Sequence, residues 1–250
     1  MWLICLMKIK ECSMSCCKEL KTPQEGHCNR PGHEGMATLE NHSTIMQEIF
    51  CHLPYAIFSV ALAMIVLSFL SYSQSSGHEH RLFHSFHFLH ILFAATGTII
   101  MFKKYSTNKI EALLVGIFVP AVFCTLSDTL LPYLGGQMLQ LPMEFHWCFI
   151  SHIGTIIPFL AAGIINGWVM SMHEASTQVF YSIGFHFFHI FISSMASILY
   201  LVSFGFTDWW TQMGFVFIYM ILVVLIPCTL ADIVVPILFA QLKKIAPRAK

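Results

Sequence analysis

Charged side chains are scarce in this chain: 13 Lys and Arg face 13 Asp and Glu in 250 residues, 10% in all. Soluble domains carry roughly 25%, so the sequence reads as an integral membrane protein. The charges cancel and form no basic block, which excludes nucleic acid as an expected partner. Ser-His-Asp, Walker and Rossmann patterns are absent as well. That absence leans away from an enzyme. No secretory signal is evident, because residues 1–7 are too short an apolar run and Lys8 and Lys10 follow it instead of preceding it.

What the chain has in abundance is apolar length and histidine. Six segments approach the 20 or so apolar residues that a spanning helix needs: about 47–72, 82–102, 112–134, 147–170, 179–204 and 213–240. The expected fold class is an all-α membrane protein of six transmembrane helices, with the Phe and Met runs facing lipid. Short loops separate the spans, and Trp209 and Trp210 suit an interfacial aromatic belt. Lys103, Lys104, Lys109, Lys243, Lys244, Arg248 and Lys250 fall on one side and Arg81 on the other. Cations favour the cytoplasmic side, so both termini are expected there.

The 14 histidines include several inside apolar runs, and these are repeated. Phe86-His87-Phe88-Leu89-His90-Ile91 returns as Phe185-His186-Phe187-Phe188-His189-Ile190, an offset of 185 − 86 = 99. Cys124-Thr125-Leu126-Ser127-Asp128 with Pro132 returns as Cys228-Thr229-Leu230-Ala231-Asp232 with Pro236, an offset of 228 − 124 = 104. A fainter echo relates His52 to His152. Two repeats are read, 45–140 and 141–242, before a basic tail at 243–250. Each repeat holds three spans, an odd number, so the second enters the membrane inverted. Secondary transporters use this architecture, with sites between the repeats.

Counting about 1.5 Å per residue from the span ends sorts the repeated groups into two levels. His87 and His90 come about 8–12 Å below the outer edge, and Asp128 and His152 about 8–9 Å below it. His186 and His189 come about 10–14 Å from the inner edge, and Asp232 about 12 Å from it, with His52 also at that end. The expectation is two sites of three His and one Asp, drawn across the repeats. Imidazole and carboxylate suit a divalent transition metal, zinc or iron foremost. The i,i+3 His pairs share a helix face that continues through Ala94 and Gly97, or Ser193 and Ala196, small residues that mark close helix contact. Glu48, Cys148 and His84 are possible accessory ligands, and Pro132 and Pro236 are expected to kink their helices.

Transport of the metal is the economical function, with proton linkage as one form of it, since His and Asp exchange metal for protons. A zinc-hydrolase type of intramembrane enzyme, a haem or metal redox protein and a structural His–Asp network are the alternatives. Haem would leave one imidazole of each i,i+3 pair unused, and Glu48 is the obvious general base for only one site. The polar extension 1–44 carries Cys5, Cys12, Cys16, Cys17 and Cys28 and reads as a disordered segment with reduced thiols; Cys16, Cys28 and His33 resemble a zinc knuckle only loosely. Met36 is an alternative start. The partners implied are the lipid bilayer and a metal ion; a homo-oligomer is not indicated.

Reporter fusions test the orientation. Fusions at Gly77, Gly136 and Asp208 are expected outside and those at Lys104, His173 and Lys250 inside; an outside C-terminus would remove the inversion.

Overall fold

The computed structural model describes residues 36–72, 78–172, 175–206 and 210–245. The chain divides into two compact units, residues 1–51 and residues 52–250. Of the first, only the backbone of the opening helix is described; the cysteine-bearing extension before Met36 lies outside the described residues.

The elements are helices α1 (Met36–Tyr72), α2 (His78–Tyr105), α3 (Lys109–Thr125), α4 (Leu131–Met138), α5 (Cys148–Ser151), α6 (Ile153–Met170), α7 (Ala175–Ser203), α8 (Met213–Thr229) and α9 (Val235–Ile245). A π-helical turn, Leu126–Leu130, joins α3 to α4, and another, Leu230–Val234, joins α8 to α9. Among the described residues there is no strand, and six helices are long and apolar enough to cross a membrane. These are His52–Leu70, His78–Tyr105, Lys109–Met138, Ile153–Met170, Gly184–Ser203 and Met213–Ala240. They fall where the apolar runs led, with two differences. The first helix starts earlier, at Met36, and runs unbroken through Pro54. The fourth starts later: α5 ends at Ser151 and α6 begins at Ile153, so His152 stands at a break.

Local chemistry accounts for several boundaries. Asn108 caps α3, its side-chain oxygen accepting from the Ile110 N–H at 3.2 Å. Lys103 at the end of α2 lies over the Trp168 ring at 4.2 Å, tying the last turns of α2 and α6 together. The π turns have a cause in sequence. Proline lacks an N–H and its ring crowds the carbonyl four residues back. Pro132 and Pro236 therefore strike Asp128 and Asp232, and the helix relaxes by widening. Leu131 N–H reaches the Leu126 carbonyl and Val235 N–H the Leu230 carbonyl, both five residues back.

Helix α2 is the centre of the bundle, packed against α3, α6, α7 and the second π turn. It runs antiparallel to α7: Phe83 meets Tyr200 (5.3 Å between ring centres) and Phe204 (5.8 Å), while Phe93 meets Phe185 (5.0 Å). Outward faces carry large apolar side chains such as Phe58, Phe69, Phe118, Ile157 and Ile218.

The α2–α6 contact depends on glycine. Gly163 and Gly167, four apart on α6, press on the α2 backbone at Leu92 and Thr96; a Cβ on Gly167 would stand 2.7 Å from the Thr96 carbonyl oxygen. Thr96 Oγ donates to the Gly163 carbonyl at 3.1 Å, which closes the joint. Spacing of this kind lets helices approach closely in membranes. Gly163→Leu is expected to lower thermal stability in detergent, at an overpacking cost of about 1–3 kcal/mol. Gly154→Ala, whose Cβ would meet nothing, is expected to leave the unfolding temperature unchanged.

Candidate metal centre

His87 and His90 project from one face of α2 toward the first π turn. Both Nδ1 atoms meet the same oxygen, Asp128 Oδ2, at 2.8 and 2.7 Å. A carboxylate only accepts, so the imidazole protons sit on Nδ1. The other carboxylate oxygen, Oδ1, accepts from Ser127 Oγ at 2.7 Å and from Ser193 Oγ of α7 at 3.3 Å. Asp128 is fully buried, with both oxygens engaged.

The second half of the chain makes a similar contact with fewer donors. His189 Nδ1 meets Asp232 Oδ2 at 2.6 Å, the counterpart of the His90–Asp128 contact. Two cross-links are likewise equivalent: Ser197 Oγ donates to the Ser127 carbonyl at 3.0 Å, and Thr98 Oγ to the Ala231 carbonyl at 3.2 Å. The counterparts of Ser127 and Ser193, however, are Ala231 and Ala94. Neither offers a hydroxyl, and Asp232 Oδ1 is buried with no hydrogen-bond partner among the described residues. Gly97 makes room for this carboxylate: a Cβ there would stand 3.0 Å from Oδ1.

Between the two halves the rings of His90 and His189 approach to 4.8 Å. Cys228 Sγ lies 3.6 Å from His90 Nε2 and donates to Ser193 Oγ at 3.5 Å. His90, His189 and Cys228 are all buried, and one donor atom from each lies within 4.8 Å of the others. Among the described residues, Nε2 of His87 and of His189 are buried without hydrogen-bond partners. A histidine that ligates a metal typically gives its other N–H to a carboxylate, which fixes tautomer and ring. Beside this group a small pocket is lined by His52, His186, Cys228 and Asp232, among others, with the His52 and His186 rings 5.0 Å apart.

A second group sits where α2 begins. The ring of His84 meets those of His80 (4.6 Å), His152 (4.4 Å) and His146 (5.4 Å). Cys148 Sγ lies 3.3 Å from His84 Nδ1. Burial, with the His152 and His80 imidazoles close by, holds His146 below the ordinary imidazole range, so it is neutral at pH 7.

The residues expected from sequence are thus redistributed. His87, His90 and Asp128 stand together, as do His189 and Asp232, with His52 and His186 sharing the pocket that Asp232 lines. Among the described residues His152 makes its ring contacts with His84, His146 and Phe88, and none with His87 or His90. The break before α6 is the reason: His152 lies ahead of the helix and not two turns inside it. The two levels also converge. Depths of about 12 and 14 Å from opposite edges of a ~30 Å core leave only about 4 Å between His90 and His189. Asp128 orients imidazoles instead of presenting a free oxygen. The side chain of Glu48 lies outside those described.

Two participants were missed. Cys228 was in plain view, since each repeated motif puts a cysteine one turn before its aspartate. His146 precedes the fourth span in a loop, and no periodicity flagged it. Comparison of the chain with protein-family models, curated proteins and solved structures found no match to any of them. Fold and site therefore define only a class: an all-helical chain with six membrane-length helices and buried His, Cys and Asp groups that could hold a metal.

The unequal carboxylates make a testable difference. Asp128→Ala strands two buried imidazoles and two hydroxyls, and is expected to cost about 3–5 kcal/mol, as for one partner removed from a buried pair. Asp232→Ala is expected to cost less. Parallel thermal unfolding of the two variants in detergent checks the order.

Proposed function

We propose that the protein carries a divalent transition metal ion, zinc or iron, across a membrane, using the central cluster as its transit site. The observation that carries this reading is the convergence there of buried donors from both halves of the chain. His189, Cys228 and Asp232, with His90 from α2, would hold the ion, while Asp128 would keep His87 and His90 in register. Two imidazoles, a thiol and a carboxylate fill a four-coordinate shell of the kind zinc takes.

A path is supported by the antiparallel α2 and α7. Histidines follow α2 inward as His80, His84, His87 and His90, then pass to His189 and on to His186 and His52. From His80 to the level of Phe93, beside Phe185, this covers about 20 Å at roughly 1.5 Å per residue, a large part of a ~30 Å core. The equivalent contacts of the two halves support the inverted-repeat reading, and the short-loop cations support cytoplasmic termini. Ionisable groups in spanning helices are costly and mark transport pathways more often than packing.

Reconstituted protein in vesicles with a trapped metal-sensitive dye is expected to admit zinc or ferrous ion. His189→Ala and Asp232→Asn, purified as folded protein, are expected to reduce the rate at least about tenfold, the lower end of the loss seen even for outer-shell partners. No uptake, together with metal that survives dialysis against chelator, would replace transport by a fixed-metal enzyme or redox protein.

A further inference from the structure

We propose that the group where α2 begins is a second metal site, built from His84, His146 and Cys148 with His152 and His80 beside them, which takes a thiophilic transition metal ion independently of the central cluster. It rests on side chains that the transport reading does not require as its transit site.

Three observations point to a ligand. Donor atoms of His84, His146 and Cys148 all lie within 4.8 Å of one another, a spacing that one ion can span. Nε2 of His84 and Nε2 of His146 are buried and have no hydrogen-bond partner among the described residues. Buried polar nitrogens are costly to leave unpaired, and the His84 ring that carries one of them meets the Cys148 thiol through its other nitrogen, Nδ1, at 3.3 Å. Lastly, the rings of His80, His84, His146 and His152 make five contacts of 4.4–6.1 Å between ring centres, across two segments far apart in sequence, residues 80–84 and 146–152.

The loop that delivers His146 is held for the purpose. Tyr200, fully buried on α7, accepts from the His146 N–H at 3.2 Å and donates its phenolic hydrogen to the Glu144 carbonyl at 3.3 Å. Phe204 stacks on the His146 ring at 5.2 Å. Gly205 takes φ +132°, open to glycine, where the Pro142 carbonyl comes within 3.0 Å of where a Cβ would stand. Orientation from a second set of residues is what a metal site needs from its surroundings. A thiol with imidazoles is a soft to borderline donor set, suited to zinc or monovalent copper and poor for magnesium or manganese.

Cobalt(II) is the probe, titrated into the purified full-length chain. In a Cys228→Ser background a thiolate-to-cobalt absorption is expected to persist, and adding Cys148→Ser is expected to abolish it. His146→Gln, a change in a loop, is expected to weaken cobalt binding at least about tenfold with the protein still monodisperse. Zinc should displace the cobalt at near-stoichiometric amounts and magnesium should not. A band that survives Cys148→Ser would assign it to another cysteine and overturn the proposal, as would unchanged affinity in His146→Gln. His189→Ala is expected to leave the band intact; its loss there would mean one shared site. Uptake failure of the central variants with the Cys148 band intact would separate the two readings.

Discussion

One carboxylate oxygen accepting from two buried imidazoles is the contact on which the centre of this molecule depends. An ionised aspartate in the middle of an apolar helix costs roughly 2.5–3.5 kcal/mol on insertion scales, and Asp128 offsets that by engaging both of its oxygens. His87 and His90 bring α2, Ser193 brings α7, and the π turn supplies Ser127. Three stretches of chain are therefore set by one side chain. The same contact places a proton on each Nδ1 and leaves Nε2 with its lone pair, so under the proposed reading one contact would both anchor the helix and prepare a ligand.

The similar motifs of the two halves allow a comparison within the molecule. Both halves have the His–Asp contact, the π turn and the hydroxyl cross-link onto the opposite turn. They differ at two methyl-for-hydroxyl positions, Ala231 for Ser127 and Ala94 for Ser193. The difference falls on the carboxylate. Asp128 has both oxygens engaged, whereas among the described residues Asp232 keeps one oxygen without a partner beside a pocket lined with imidazoles. A saturated carboxylate holds a helix in place; an open one can bind.

Much of this was legible in the sequence. Scarce charge and six apolar runs gave the helices to within a few residues at most boundaries, because length and composition alone determine whether a segment can span. The repeated His-x-x-His and Asp were legible as facing groups because their spacing survives in any helix. Other features were not. Pro132 and Pro236 suggested kinks, but whether a helix answers proline by bending or by widening depends on its neighbours. Trp147 to Ile153 is apolar enough to read as helix, yet the His152 backbone, at φ −125°, is not helical. Helix rise fixes each depth from its own edge, and the two levels meet because the core is only ~30 Å thick. His146 had no signal, since loop conformation follows from Tyr200 and Phe204, nearly sixty residues away.

The distribution of donors over elements bears on what the central cluster can do under the proposed reading. His90 comes from α2 in the first half, and His189 and Cys228 from α7 and α8 in the second. Had all of them stood on one helix, their spacing would be fixed and a bound ion would be indifferent to movement of the bundle. Spread across the halves, the donor spacing changes whenever one half shifts against the other, so affinity differs between conformations. A ligand moves a conformational equilibrium only by such a difference. The pocket beside the cluster is small and its walls are helices, so passage of an ion requires the walls to move. On that reading site and gate would be made of the same parts, with α2 and α7 both holding the ligands and closing the way.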